Sequence, residues 1–292
     1  MPDRSIVICG LPDSGKTTFL AALWHLVSQR EGVDTQLKFV SLRDGDSAHL
    51  NKIMAMWQEA REQPHTHSDS RKLVSMNLKD GTGTNLGLTF PDLSGESYQH
   101  MWETRECDPD IAAILRSGSG VLLFVHADKI NRPLGVAETV GQARRLGVVD
   151  AAGKPAAWHP KFAPTQVQLV ELLQLLRSSA LNVPAQRLGI ILSAWDKVEA
   201  ERREPAVYLT ENLPLLDQYL KQGADGWDFR IYGLSAQGGE YEPELKQGQT
   251  VSDDLRAKID AVRTLPTASS RIKVYSPALS HDLTEPLAWL MG

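Results

Sequence analysis

Two glycines, a lysine and a threonine in Gly10-Leu11-Pro12-Asp13-Ser14-Gly15-Lys16-Thr17 stand at the spacing of a phosphate-binding loop, G-x-x-x-x-G-K-[ST]. Glycine lets the backbone curl until several N–H groups face one anion. A helix opening at the end of the loop adds the positive end of its dipole. Lys16 brings a mobile point charge to the outer phosphates, and the Thr17 hydroxyl is placed to hold a magnesium ion. Three further clusters follow along the chain. Asp92-Leu93-Ser94-Gly95 can set a carboxylate in the magnesium shell and a glycine N–H at the terminal phosphate. Ser193-Ala194-Trp195-Asp196 ends in a carboxylate able to accept two hydrogen bonds, and Ser235-Ala236-Gln237 offers backbone amides to a carbonyl. Each short cluster also has a plain reading: a turn for Asp92–Gly95, a capping aspartate for Asp196.

Their positions give these clusters weight. Arg4 to Cys9 reads as a short buried strand and Thr17 to Ser28 as a helix, so the glycine loop sits between strand and helix. Leu73 to Leu78 and Leu86 to Phe90 read as strands joined by the turn-rich Asp80–Asn85, an antiparallel hairpin that ends at Asp92. The continuous apolar run Gly120 to His126 suits a strand covered on both faces. Thr165 to Ser178 carries an amphipathic helical stripe, and Leu188 to Leu192 is another buried strand, ending just before Ser193. Leu213 to Leu220 reads as a short helix. Phe229 to Leu234 reads as the last sheet strand, and Asp282 to Leu290 as a closing helix. Strand and helix alternate, which predicts an α/β protein: a mostly parallel central sheet with one antiparallel hairpin strand and helices on both faces. Each cluster then follows a strand, where ligand groups gather in an open α/β sheet. A carboxylate at Asp196 would there accept from the ring N–H and the exocyclic amine of guanine. Adenine has neither donor on that edge, and a buried unpaired carboxylate rejects it.

The chain has 292 residues with 42% hydrophobic content, enough for a sizeable core. Its net charge of −5 suggests no general affinity for nucleic acid or anionic membrane. No apolar run reaches the roughly 20 residues of a membrane span. The only two cysteines, Cys9 and Cys107, make no disulfide framework, and Cys9 reads as a small buried apolar residue. The first strand follows the start so closely that no signal peptide is expected, and the expected location is the cytoplasm.

The order Gly10–Thr17, Asp92–Gly95, Ser193–Asp196, Ser235–Gln237 and a closing helix resembles the TRAFAC-class (Ras-like), translation-factor-related P-loop GTPases. The phrases Gly-Leu-Pro-Asp-Ser-Gly-Lys-Thr-Thr, Asp-Leu-Ser-Gly-Glu and Ser-Ala-Trp-Asp-Lys-Val look most like the bacterial double-GTPase family of GTPase-associated conflict systems. The resemblance implies one GTPase domain over 1–292, with insertions at about 31–71, 128–164 and 238–280. Leu50 to Ala60 of the first insertion is expected to form an extra helix. It implies that Asp13, Ser14, Gly15, Lys16, Thr17 and Thr18 cradle the phosphates of GTP or GDP. It further implies that Thr17 and Asp92 hold Mg2+, that Gly95 senses the terminal phosphate, and that Asp196 reads guanine beside Ser235 and Ala236. The first switch of this class supplies a threonine to the metal. Thr66 is the best placed, with Ser68 and Ser70 competing.

Two positions depart from the usual pattern. Ser193 and Ala194 replace the Asn-Lys of the base motif, so the lysine stem that covers the base is absent. Trp195 is open to two roles, covering the base or packing in the core. Glu96 stands where a water-orienting glutamine is usual, and is a candidate catalytic residue beside Lys16. The expected function is a GTP-binding switch with slow magnesium-dependent hydrolysis, acting on a protein partner through the insertions. An ATP-hydrolysing enzyme and a non-hydrolysing nucleotide-binding scaffold are the alternatives. His65 and His67 form an H-x-H pair, for which a solvated loop is the simpler reading.

Overall fold

In a computed structural model, the structure describes residues 4–29, 32–44, 47–63, 73–91, 95–133, 160–198, 203–245 and 250–292. Among the described residues, nine strands form one sheet: β1 (Arg4–Gly10), β2 (Lys38–Asp44), β3 (Leu73–Lys79), β4 (Asn85–Pro91), β5 (Gly120–His126), β6 (Arg187–Ser193), β7 (Asp228–Ser235), β8 (Lys273–Tyr275) and β9 (Leu279–Ser280). Their order across the sheet is β2-β3-β4-β1-β5-β6-β7-β8-β9. The five central strands, β4, β1, β5, β6 and β7, run parallel. Helices are α1 (Lys16–Gln29), α2 (Ser47–Gln58), α3 (Gly95–Thr104), α4 (Pro109–Ser117), α5 (Thr165–Arg177), α6 (Pro205–Asn212), α7 (Pro214–Gln222), α8 (Asp253–Arg263) and α9 (Glu285–Met291).

Helices cover both faces of the sheet, as expected. On β1, Ile6 and Ile8 face the layer of α1, α2 and α9, while Val7 and Cys9 face α3, α4, α5 and α7. The same alternation on β5 sends Leu122 and Phe124 one way and Val121, Leu123 and Val125 the other. This is why β5 is apolar and buried from Gly120 to Val125. Burial pushes the Cys9 thiol up to about 12, so it packs as an inert apolar side chain.

The hairpin predicted at 73–90 is present as β3 and β4, antiparallel with Val74 opposite Phe90 and Lys79 opposite Asn85. Its turn is held by Asp80, whose Oδ1 accepts from the N–H groups of Thr82 and Thr84 at 2.9 Å each. Both sheet edges extend further than the sequence suggests. β2, within the stretch expected to be the first insertion, pairs antiparallel with β3. β7 is not the last strand, because β8 pairs antiparallel with it and β9 with β8. The expected helix at 50–60 exists, shifted to Ser47–Gln58 as α2, and its Leu50, Ile53 and Trp57 pack against the α1 layer.

Candidate functional site

Strand register gathers the clusters at one edge. Gly10 at the end of β1 lies beside Phe124 of β5, His126 beside Ser193 of β6, and Ser193 beside Leu234 of β7. The glycine loop, the Asp196 turn and the Ser235–Gln237 loop therefore all emerge from the same end of the parallel strands.

In the glycine loop, Asp13 (φ 55°) and Gly15 (φ 87°) flank Ser14 in the left-handed region, a backbone alternation that turns successive N–H groups toward one centre. Asp13 is exposed and Ser14 is buried, while Gly15, Thr17 and Thr18 are half-buried. Gly10 (φ 151°) passes so close to β5 that an added Cβ would lie 2.6 Å from the Phe124 carbonyl oxygen, which leaves no room for a side chain. Lys16 opens α1, and its Nζ donates to the carbonyls of Gly10 and Leu11 at 2.9 Å each and to Ser14 Oγ at 3.1 Å. The ammonium is thus held within the curl of the loop, where an anion would meet it. The Gly15 carbonyl accepts from Phe19 N–H at 3.0 Å and starts the helix.

Ser193 holds this loop from behind. Its Oγ donates to the Ser14 carbonyl at 2.8 Å, with the Val125 carbonyl 3.4 Å away, so one hydroxyl joins β6, β5 and the glycine loop. Gly15 packs directly on it, since a Cβ there would lie 3.1 Å from Ser193 Oγ. Ser193 is thus a short tether between the end of β6 and the glycine loop.

Ala194 takes a left-handed conformation (φ 52°, ψ 40°) and turns the chain sharply after β6. That turn divides the next two residues. Trp195 goes into the core at 2% exposure, edge-on to Tyr208 with ring centroids 5.3 Å apart. Its ring lies flat on Gly233, where an added Cβ would be 2.6–2.8 Å from ring atoms. Trp195 is therefore a core residue, and the base-covering alternative is set aside. Gly233→Ala is expected to push this ring away, destabilise the protein by about 2–3 kcal/mol, and displace Asp196 beside it. Thermal unfolding together with GDP titration checks this, and a variant with wild-type GDP affinity contradicts it.

Asp196 comes up toward β7, where Ser235 Oγ donates to its Oδ1 at 2.5 Å and accepts the Gly238 N–H at 3.1 Å. Burial raises the Asp196 carboxyl above the usual carboxylate range, against the opposing pull of the Ser235 hydroxyl. A partly desolvated carboxylate with one oxygen fixed by a serine can read a pair of N–H donors on a flat ring. Ala236 is buried, and its carbonyl accepts the Trp57 indole N–H at 2.9 Å.

Gly95 and Glu96 open α3, just past the end of β4, whose Thr89 lies beside Val7 of β1. Asp92 and Thr66 lie outside the described residues, as do Ser68, Ser70, His65 and His67. Among the described residues, no three His, Cys, Asp or Glu side chains cluster as a metal site. The Thr17 hydroxyl in the first turn of α1 is a hard oxygen donor beside Lys16, and fits magnesium by its chemistry. Sequence reasoning missed Trp57 and Arg271, which brace the Ser235–Gly238 loop: the Trp57 indole reaches Ala236 across 179 residues of sequence, and Gly238 lies against Arg271.

Among the described residues, no helix is long and apolar enough to cross a membrane. The bacterial selenocysteine-specific elongation factor EF-Sec aligns at 14% identity over 81% of this chain, with a TM-score of 0.36. The GTP-bound GTPase-like domain of S. cerevisiae Ski7 aligns at 13% identity over 91% of this chain, with a TM-score of 0.42. This chain spans 26% of the length of the first and 51% of the second. A nucleolar GTP-binding protein 1 from Plasmodium falciparum aligns at 12% identity over 80% of this chain and 77% of its own, with a TM-score of 0.36. No curated protein matches the sequence. The Double-GTPase 1 family model matches residues 7–290, from β1 through the closing helix, and the chain belongs to that family.

Proposed function

We propose that the chain binds GTP with magnesium, hydrolyses it slowly, and switches its affinity for a protein partner between the two nucleotide states. Family membership supports the nucleotide and the reaction. The observation that carries the reading is the convergence of three groups at one sheet edge. These are the Lys16 ammonium inside the loop, the Ser193 tether, and the Asp196–Ser235 pair on the adjoining strand ends.

In this reading Asp13 to Thr18 hold the phosphates, Thr17 and Asp92 hold Mg2+, and Thr66 completes the metal shell from the first switch. Bound magnesium supplies charge neutralisation across the phosphate oxygens. Lys16 and the loop N–H groups stabilise charge on the phosphates as water attacks in line, and Gly95 follows the terminal phosphate through its N–H. Glu96 orients the attacking water through its carboxylate. Asp196, Ser235 and Ala236 select guanine. The domain reading is one GTPase unit over 1–292, with 31–71, 128–164 and 238–280 as surfaces toward the partner. The setting is a bacterial cytoplasm, in a conflict system.

Phosphate release with GTP, with and without magnesium, tests the reaction. Magnesium-dependent release from GTP is expected, and no release under any condition contradicts it. Glu96→Ala, which removes the polar group altogether, is expected to lower turnover about tenfold or more with little change in GTP affinity. Unchanged turnover in single-turnover assays would assign Glu96 to the surface.

A further inference from the structure

We propose that Trp57, contributed by the first insertion, is a positioning residue for the base loop, clamping Ser235–Gly238 together with the buried Arg271. The inference rests on the guanine reading above. The Trp57 side chain is fully buried, and its Nε1–H donates to the Ala236 carbonyl at 2.9 Å across 179 residues of sequence. Arg271, at 2% exposure, sets its guanidinium 3.9 Å from the Trp57 ring centroid and donates to the Trp57 carbonyl. The same residue closes the loop from the other side. Gly238 (φ 75°) lies against it, with an added Cβ 2.4 Å from both the Cβ and the carbonyl oxygen of Arg271. The loop is thus gripped between an indole N–H and an arginine backbone, and neither belongs to a nucleotide-binding cluster.

The grip reaches the carboxylate. Ser235 Oγ, at the start of the loop, both accepts the Gly238 N–H and donates to Asp196. A shift of Ala236 would therefore move the amides expected to face the base carbonyl and the hydroxyl that fixes Asp196. A second tie holds the same two segments together. Glu242 N–H donates to the Ala60 carbonyl at 2.7 Å, and Glu62 N–H donates to the Glu242 carbonyl at 2.8 Å. Arg263 of α8 crosses the joint, donating to the Glu59 carbonyl at 2.8 Å and to Glu242. The end of α2 and the stretch beyond the base loop are one hydrogen-bonded unit.

Trp57→Phe keeps a ring under Arg271 and removes the one donor. It is expected to speed GDP dissociation about tenfold, the effect of stripping a buried carbonyl of its partner. Weak ADP binding, which uses the phosphate loop alone, is expected to stay unchanged, so the GDP-to-ADP affinity ratio falls by the same factor. A lower melting temperature with unchanged GDP dissociation would show a packing role and overturn the inference. Should the variant not fold, indole hydrogen exchange in the unsubstituted protein decides. Exchange at Trp57 Nε1–H is expected to slow more than tenfold with GDP. Trp24 Nε1–H, bonded to Asn51 Oδ1 at 3.0 Å, is expected not to respond. Equal response at both, or none at Trp57, overturns the inference. A wild-type protein that binds GDP and ADP alike overturns the guanine reading and this inference with it. A guanine-selective protein indifferent to Trp57→Phe overturns this inference alone.

Discussion

Lys16→Ala is expected to lower GTP turnover by about a hundred- to thousandfold and to weaken GTP binding by at least about tenfold. Its ammonium is held inside the glycine loop, 2.9 Å from the carbonyls of Gly10 and Leu11. Those carbonyls are neutral and compete weakly against a phosphate oxygen, whose negative charge adds a direct Coulomb attraction to the ammonium. The fold should survive the change. Lys16 is half-buried, so water can reach the carbonyls it leaves, and the Gly15–Phe19 helix start does not involve its side chain. Single-turnover phosphate release and thermal unfolding, measured side by side, separate the two effects. Wild-type turnover in this variant would remove the glycine loop from the reaction.

The second large effect falls on Asp196→Asn. A carboxylate accepts from both the ring N–H and the amine of guanine, whereas an amide presents one acceptor and one donor. GDP affinity is expected to fall by about a hundredfold or more, as buried donors and acceptors lose their match. Xanthine carries a carbonyl where guanine carries its amine, so the same variant is expected to gain affinity for xanthine nucleotides. Loss of GDP and ADP binding by equal factors would reject base readout at this position. The pH dependence has a definite sign. Burial raises the Asp196 carboxyl, so the free protein takes up a proton there more readily than an ordinary aspartate does. Guanine donors favour the ionised form, so protonation and GDP binding compete. GDP affinity is therefore expected to weaken as pH falls through the raised pKa, and Asp196→Asn should abolish that dependence. Isothermal titration across acid pH checks it.

What could be read from the sequence was local. The glycine loop, the Asp196 turn and the Ser235 loop are contiguous residues after apolar strands, and the register of parallel strands does the rest by bringing those strand ends level. β2 escaped because it is an edge strand. Phe39 and Leu42 pack on the core while Val40 stays 46% exposed, and the lysine and arginine around them mask the pattern. α8 escaped for a related reason, since only Ile259 and Val262 are buried on it, against Ala60, and one thin stripe among charges gives a weak period. The side on which Trp195 lies depends on a left-handed Ala194 and a bare Gly233 beneath the ring, and neither is visible as a pattern. The Trp57–Ala236 bond joins residues far apart in sequence, so no window of the chain contains both partners.

Equilibrium titration of nucleotide-free protein with GDP and with ADP, in the same magnesium buffer, meets the central claim head on. Convergence of the Lys16 loop with the Asp196–Ser235 pair predicts tighter GDP binding by about a hundredfold. Equal affinities, or a preference for ADP, would contradict it.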